Sequence, residues 1–408
     1  MMKRGHVKCN SAVIAVLTLD KHKSGVWITK LVTELRRRQS QSREASALQH
    51  FSVRVVTLES LDNNQFETDK APPWIGLVNR VSDAADPVLA KFCQSVLNTA
   101  VLWDIPCFNG PICYSIGSNK TLHHHVFARA GCKTPRSVVI RFGATNDSPK
   151  KKLVAAAAAL RERGCHWPLL IKPNSGGFGN GIKLFMSMED LVAYSDTLSR
   201  NELGPSEDGV ALLQEYIEPR DKAIYRVWFV NGRPQCAVQR FVEGVVVAPD
   251  SSGVVRDDDF TSGCAAGGSS SNTCSLTQHG KGGSVTDRTR GSEGAVNDFT
   301  SGCASNGCRL ERRDQDKKRR SFRAWSVPEN VSNDISRIVS IVGDDCDAGS
   351  VEFLYDENGN QVYFDLNMLS TLPITDNGSV ENSEAVWHDV SYDPWSELAD
   401  AVIEKLKC

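Results

Sequence analysis

No stretch of this 408-residue chain approaches the ~20 consecutive apolar residues that a membrane-spanning helix requires, so no span is expected. Thirteen cysteines are present, yet none forms a Cys-x-x-Cys pair. They read as packing residues of a reducing compartment rather than as zinc or redox motifs. Net charge is nearly absent as well, -2 from 47 basic and 49 acidic residues, which leaves no global field to call for a nucleic acid or a membrane as partner. The amino terminus has a charged start and only a short apolar run, Ala12 to Leu17, with no cleavage-like site. A cytoplasmic protein is the expectation.

What is present is ordinary globular composition, 40% hydrophobic and 24% charged, over a length at which one core stops growing, so two or three domains are predicted. Ser11 to Leu17 is a buried-type strand, Gly25 to Arg38 has helical spacing, Ser52 to Leu58 and Trp74 to Val81 are strand-like, and Pro87 to Trp103 is helical. That alternation predicts a parallel sheet covered by helices. A strand at Cys107 to Asn109, a helix over Ser118 to Ala130 and an alanine-rich helix over Pro149 to Gly164 follow. From Pro168 the texture changes to short strands, at Leu169 to Lys172, Ile182 to Phe185, Val210 to Tyr216, Ile224 to Val230 and Gln235 to Phe241, with a helix over Met188 to Ser199 among them. This predicts an α+β region. Helices over Val331 to Val342 and Trp395 to Leu406 complete the pattern.

Residues 249–318 are rich in Ser, Gly, Asp and Arg and poor in large apolar side chains, so a disordered low-complexity insertion is expected there. Asp-Phe-Thr-Ser-Gly-Cys-Ala occurs in it twice, at Asp259 to Ala265 and at Asp298 to Ala304. Two copies cannot build a solenoid, so this is a duplication in a tolerated loop. Its basic run, Arg309 to Arg320, reads as a solvated linker.

Two stretches carry chemistry. The run from Glu352 to Asn367 reads as a hairpin turning at Asp356 to Asn360. Asp365 and Asn367 are two apart and share one strand face, which Glu352 can join from the partner strand. Carboxylate and amide oxygens in that arrangement suit magnesium, whose octahedron water and substrate phosphates complete. An edge hairpin with solvated acids is the plain alternative. The second stretch, Asn174-Ser-Gly-Gly-Phe-Gly-Asn-Gly181, lets backbone N–H groups approach phosphate oxygens where a Cβ would obstruct. It leads into a strand, not a helix, so it is no dinucleotide-binding turn. Ile182 follows the last glycine where a P-loop needs Lys, and neither His-Arg-Asp nor Asp-Phe-Gly is present for a protein kinase. A flexible hairpin tip is the alternative.

Along the chain stand Lys120, Lys172, the glycine loop, Leu213-Gln-Glu-Tyr-Ile-Glu218, Arg226, Arg240, and the trio Glu352, Asp365 and Asn367. In this order, with Phe-Asn109-Gly, Ser118-Asn-Lys120, Gly131-Cys-Lys-Thr-Pro135, Leu-Ile-Lys172-Pro and Gln214-Glu-Tyr-Ile217, the chain resembles the ATP-grasp superfamily. Within it, the likeness is to RimK-type and glutathione-synthetase-like carboxylate-amine ligases, over roughly Ile105 to Pro373 apart from the insertion. The resemblance implies α/β plus α+β architecture: an N-terminal parallel-sheet domain (1–117), a small subdomain with the glycine loop (118–209) and a C-terminal subdomain (210–408) interrupted by the insertion.

The same resemblance implies ATP between the two subdomains. Lys120 and Lys172 would meet the α- and β-phosphates, and Gly176, Gly177, Gly179 and Gly181 would close over the β/γ end. Gln214, Glu215, Tyr216, Ile217 and Glu218 would form the hinge at the adenine, and Glu352, Asp365 and Asn367 would hold Mg2+ or Mn2+. A carboxylate would take the γ-phosphoryl group and an amine would attack the acylphosphate, so the partners would be small-molecule or peptide acids and amines. Such chemistry needs mainly positioning and charge neutralisation, to which the residue types are suited. Arg226 and Arg240, on adjacent strands, can hold phosphate or carboxylate oxygens bidentately, and Arg323 is a further candidate for transition-state charge.

The likeness has a gap, because Ile224 stands where this group usually places an Asp, two residues before the arginine. Asp221 or Glu218 is left to serve the ribose. A small-molecule kinase of the inositol-phosphate type and a catalytically silent ATP-binding protein are the rival readings. Arg80, at the carboxyl end of a central strand where open α/β sheets bind ligands, is a candidate for a substrate carboxylate, with a structural ion pair as the alternative. His123, His124 and His125 are consecutive on a helix and point in different directions, which excludes joint chelation. Cys264, Cys274, Cys303, Cys308 and His279 lack paired spacing, so zinc is not expected.

Overall fold

A computed structural model describes residues 12–42, 51–61, 66–81, 87–143, 147–176, 181–198, 203–242, 322–368 and 393–407. The 249–318 segment, with its repeats, basic run, cysteines and His279, lies outside the described residues, as do Gly177 and Gly179.

Strand β1 (Ala12–Thr18) is buried along almost its whole length, as a central parallel strand covered on both faces must be. With β2 (Phe51–Thr57), β3 (Gly76–Asn79) and β4 (Cys107–Phe108) it forms a parallel sheet in the order β2-β1-β3-β4. Helix α1 (Val26–Ser42) lies on one face, and the one-turn α2 (Leu58–Leu61) and α3 (Pro87–Leu102) lie on the other. The strand pattern anticipated to Leu58 stops at Thr57 because α2 begins there. A short helix that the spacing does not announce, α4 (Pro111–Gly117), follows β4, and its Pro is tolerated because the first helical N–H has no intrahelical partner.

Helix α5 (Lys120–Arg129) then leads to an antiparallel sheet of β5 (Ser137–Arg141), β6 (Leu169–Pro173), β7 (Lys183–Phe185) and β8 (Val210–Glu215), in the order β5-β8-β6-β7. Helices α6 (Pro149–Glu162) and α7 (Met188–Asp196) cover one face through Leu153, Ala157, Leu160 and Leu191, packed on Ile171 and Leu213. Strand alternation therefore turns Leu170, Lys172, Leu212 and Gln214 to the other face. The boundary expected between 209 and 210 needs correction here. It would cut β8 away from the sheet that β8 joins, so the crossing between the two antiparallel sheets falls after Glu215.

The third sheet is antiparallel too, β11-β10-β9-β12-β13, from β9 (Ala223–Val230), β10 (Arg233–Phe241), β11 (Phe322–Ala324), β12 (Ala348–Tyr355) and β13 (Gln361–Asn367). One face packs on α5 and on α8 (Glu329–Val342), whose Val331, Ile335, Ile338 and Val342 form a buried stripe at helical spacing. Each such side chain contributes about 1.5–3 kcal/mol by leaving water. On the opposite face, Trp228, Val230, Cys236 and Val238 join Val78 and Phe108 of the parallel sheet and Leu398 of α9 (Pro394–Lys407) in a shared core.

Asn109, just beyond β4 and in a left-handed conformation (φ 55°), locks the parallel and five-stranded sheets together. Its backbone N–H donates to Asp347 Oδ2 (2.7 Å), and its Oδ1 accepts from the N–H groups of Asp347 and Ala348 (3.0 Å each). Its Nδ2 donates to Ala348 O (2.9 Å) and Met368 O (2.7 Å). A buried amide with its bonds made in this way stabilises without a desolvation deficit. Among the described residues, no helix is long and apolar enough to cross a membrane.

Candidate functional site

Cross-strand register lines up the charged residues of the five-stranded sheet. Arg226 on β9 stands opposite Glu352 on β12, and Glu352 opposite Asp365 on β13, so the three form one row across neighbouring strands. Asn367, two residues on, shares the face of Asp365, as anticipated. A register shift after Glu352 makes Phe364 the extra residue of a β-bulge, which keeps Tyr363 and Leu366 in the core while Asp365 faces outward. Arg226 donates through Nε (2.5 Å) and Nη2 to Glu352 Oε1. Arg240 lies on the same face, because Val238 opposes Arg226 and Arg240 is two further along β10.

Lys172, at the end of β6, reaches this row from the small sheet. Its side chain is 7% exposed, its Nζ donates to Phe364 O (3.1 Å), and the same nitrogen lies 3.7 Å from Asp365 Oδ1. Burial pushes its ammonium down to about 8 against the pull of Asp365, so it remains mostly protonated at neutral pH. Burial alone would raise the Asp365 carboxyl, but the Lys172 ammonium outweighs it and holds the group well below the usual carboxylate range.

Lys120 opens α5, which Asn119 caps by accepting from Leu122 N–H (3.1 Å). Its Nζ donates to Gly176 O and its backbone N–H to Asn174 O (3.0 Å). Asn174 Oδ1 accepts from Thr121 N–H (2.9 Å) and Oγ1 (2.7 Å), while its Nδ2 donates to Asp208 Oδ2 (2.6 Å). The start of the glycine loop is therefore fixed to the helix that carries Lys120. Gly181 closes the loop in a left-handed conformation, where a Cβ would sit 2.8 Å from both Pro173 Cγ and Pro205 O.

The hinge residues run from the end of β8, Gln214 and Glu215, into the link to β9. Gln214 is buried and its Oε1 has no hydrogen-bond partner. Glu215 is committed structurally, its carboxylate accepting from Arg136 N–H (2.8 Å) and Nε (2.9 Å). The Tyr216 hydroxyl donates to Glu218 Oε2 (2.9 Å) beside Ile217. Of the two acids left for the ribose, Asp221 accepts from the core residue Tyr225, and Glu218 stays exposed.

Arg80 stacks 3.6 Å over the Trp27 ring and lines a small cavity with Trp228, Gly349 and Met368, next to the Asn367 end of the row. Arg323 is a correction. It pairs with Gln239, so it faces the side of the sheet away from Arg226 and Arg240, with its guanidinium 5.9 Å from the Phe241 ring. Three residues at the site were not foreseen, Asn174, His123 and His124. Both histidines are buried, and burial with the nearby Lys172 pushes His124 down to about 3. A faint signal existed in that His123 and Phe127 share an i, i+4 stripe.

A divalent cation fits this donor set. Asp365 Oδ1 is buried without a hydrogen-bond partner, an arrangement costing about 1–3 kcal/mol or more for a charged group unless something meets it. Glu352, Asp365 and Asn367 supply hard oxygens on one face, as magnesium prefers. Among the described residues, no group of three His, Cys, Asp or Glu could hold a metal ion, so two acids and an amide leave further positions to water or substrate.

No protein-family model matches the chain, and no curated protein matches its sequence. Solved structures do match its shape. The D-cycloserine synthetase DcsG superimposes over 97% of this chain and 100% of its own, with TM-score 0.55 and 12% identity. The ATP-grasp ligase PsnB, complexed with a minimal precursor, covers 97% and 99% with TM-score 0.52 and 13% identity. The chain has the ATP-grasp fold. The D-alanine–D-alanine ligase of Bacillus anthracis, complexed with ATP, follows the same outline over 98% of this chain and 97% of its own, with TM-score 0.50 and 12% identity. In this ATP-grasp architecture the parallel sheet comes first, and Lys172 and Asp365 lie where the two antiparallel sheets meet.

Proposed function

We propose that this chain is an ATP- and magnesium-dependent ligase that joins a carboxylate to an amine through an acylphosphate, with an amino acid or peptide as one substrate. The observation that carries the reading is the approach of Lys172 Nζ to Phe364 O and Asp365 Oδ1, which brings the cation of one sheet to the acid row of the other. Supporting it, the ATP-grasp neighbours are named as a D-cycloserine synthetase, a ligase complexed with a precursor peptide and a D-alanine–D-alanine ligase.

Lys120 and Lys172 would bind α- and β-phosphate oxygens, with Gly176 and the loop it opens at the β/γ end. Gln214 and the 215–218 backbone would meet the base. Glu352, Asp365 and Asn367 would hold the divalent cation, which when bound neutralises charge between the β- and γ-phosphates. Arg226 and Arg240 orient the acceptor carboxylate and offset charge on the phosphoryl group in flight. Attack by a carboxylate oxygen on the γ-phosphorus breaks the bond to ADP and forms the acylphosphate. The amine nitrogen then attacks the acyl carbon, expels phosphate and loses a proton. Arg80, stacked on Trp27, serves as a further carboxylate holder.

Incubation with ATP, magnesium and paired panels of acids and amines tests the reading. Release of ADP and phosphate only when both an acid and an amine are present is the expected result. ADP with a stable phosphoester would assign a kinase instead, and AMPPNP binding without any turnover would assign a silent nucleotide binder.

A further inference from the structure

Helix α5 touches both antiparallel sheets, and two successive histidines divide the work. His124 turns to the small sheet, its Nδ1 lying 3.1 Å from Thr134 Oγ1 and 3.2 Å from Ser137 Oγ. His123 turns to the five-stranded sheet. It is 2% exposed, its Nδ1 accepts from Leu366 N–H (3.3 Å), and that nitrogen also stands 3.3 Å from Asp365 Oδ1. One turn further on, Phe127 packs on Tyr363 with ring centroids 5.7 Å apart, so a core-packing stripe of the helix delivers an imidazole to β13.

Packing alone would favour an apolar side chain at this position. His123 Nε2 is buried without a hydrogen-bond partner, a deficit of about 1–3 kcal/mol that Leu or Phe would not carry. The nitrogen that is engaged, Nδ1, meets the peptide group lying between Asp365 and Asn367. Lys172 Nζ is 3.7 Å from the same oxygen, beyond hydrogen-bond reach, so no donor fixes Asp365 Oδ1 directly.

We propose that His123 is a positioning residue for the metal-binding strand: by holding Leu366 N–H and flanking Asp365 Oδ1, it sets the spacing of the Asp365 and Asn367 oxygens before a cation arrives. Loss of a group that orients a metal ligand typically costs about 10- to 100-fold in metal affinity. The inference rests on reading Glu352, Asp365 and Asn367 as the metal set.

The test is a titration of Mn2+, followed by electron paramagnetic resonance, into protein saturated with AMPPNP, alongside AMPPNP affinity measured in EDTA. His123→Phe is expected to weaken Mn2+ about 10- to 100-fold while metal-free AMPPNP affinity stays within about twofold, which also reports that the variant is folded. His123→Asn, whose carboxamide can take the place of Nδ1, should recover Mn2+ affinity to within about threefold, and His123→Gln, which places its amide nearer the Nε2 position, should not. Unchanged Mn2+ affinity in His123→Phe, or an equal loss of both affinities, overturns the positioning role. Wild-type protein that binds AMPPNP but no Mn2+ overturns the metal set itself, and the inference with it.

Discussion

The hairpin β12–β13 carries a lysine–aspartate pair at each end, and the two are built differently. At the tip, Asp356 Oδ1 accepts from the N–H groups of Asn358 (3.0 Å) and Asn360 (2.8 Å), while Oδ2 accepts from Lys133 Nζ (2.5 Å) and Asn360 Nδ2 (3.1 Å). At the root, Asp365 Oδ1 is buried without a hydrogen-bond partner, and its lysine stands off at 3.7 Å. Both acids are held ionised, so charge does not tell them apart. The count of satisfied lone pairs does. The tip acid closes a turn, and the root acid keeps an oxygen without a hydrogen-bond partner.

Three substitutions test that contrast, in falling order of effect. Asp365→Asn should cut ADP formation by roughly 10^3-fold, since it removes a carboxylate that would hold the cation neutralising the phosphates. Turnover at the wild-type rate would make the root as structural as the tip. Asp356→Asn should leave turnover intact and cost about 2 kcal/mol in chemical denaturation at neutral pH. Burial would raise the Asp356 carboxyl, but Lys133 and Asn360 overcome it and depress the group from 3.8 to about 2. Its contribution is therefore fully present above 3.8 and lost as pH falls through about 2, and the Asn variant should lack that part of the acid sensitivity. Equal acid slopes for wild type and variant would count against the tip as a stabilising acid. Lys133→Met should cost least, under about 1 kcal/mol, because the lysine is half exposed and solvent screens it while the backbone bonds to Asp356 persist. A loss equal to that of Asp356→Asn would show that the ion pair, and not the turn, holds the tip.

Much of this was legible in the sequence because the signals were local. Asn-Gly between alternating strands announces the turn at 356–360, where Gly359 takes φ 79°, and the same-face pair Asp365 and Asn367 survives because the bulge falls before it, at Phe364. What escaped depends on distant partners. The Glu215 carboxylate has no partner in the hinge pattern itself; Arg136, far off in sequence, supplies one. Arg323 reads as a further candidate for transition-state charge until the register of a three-residue strand puts it on the face away from Arg226 and Arg240. His123 and His124 reveal their roles only when α5 is seen between two sheets, since diverging directions exclude joint chelation but not separate duties.

Asn174 has a mechanical consequence. It rivets the end of β6 to the first turn of α5, and α5 is itself bedded in the core beneath β13. The small sheet is thus pinned at the corner where Lys172 approaches Asp365. Lys172 Nζ is tied to Phe364 O, and Lys120 is tied to the same corner through Asn174 O, so the distance between these two cations is written into the fold itself.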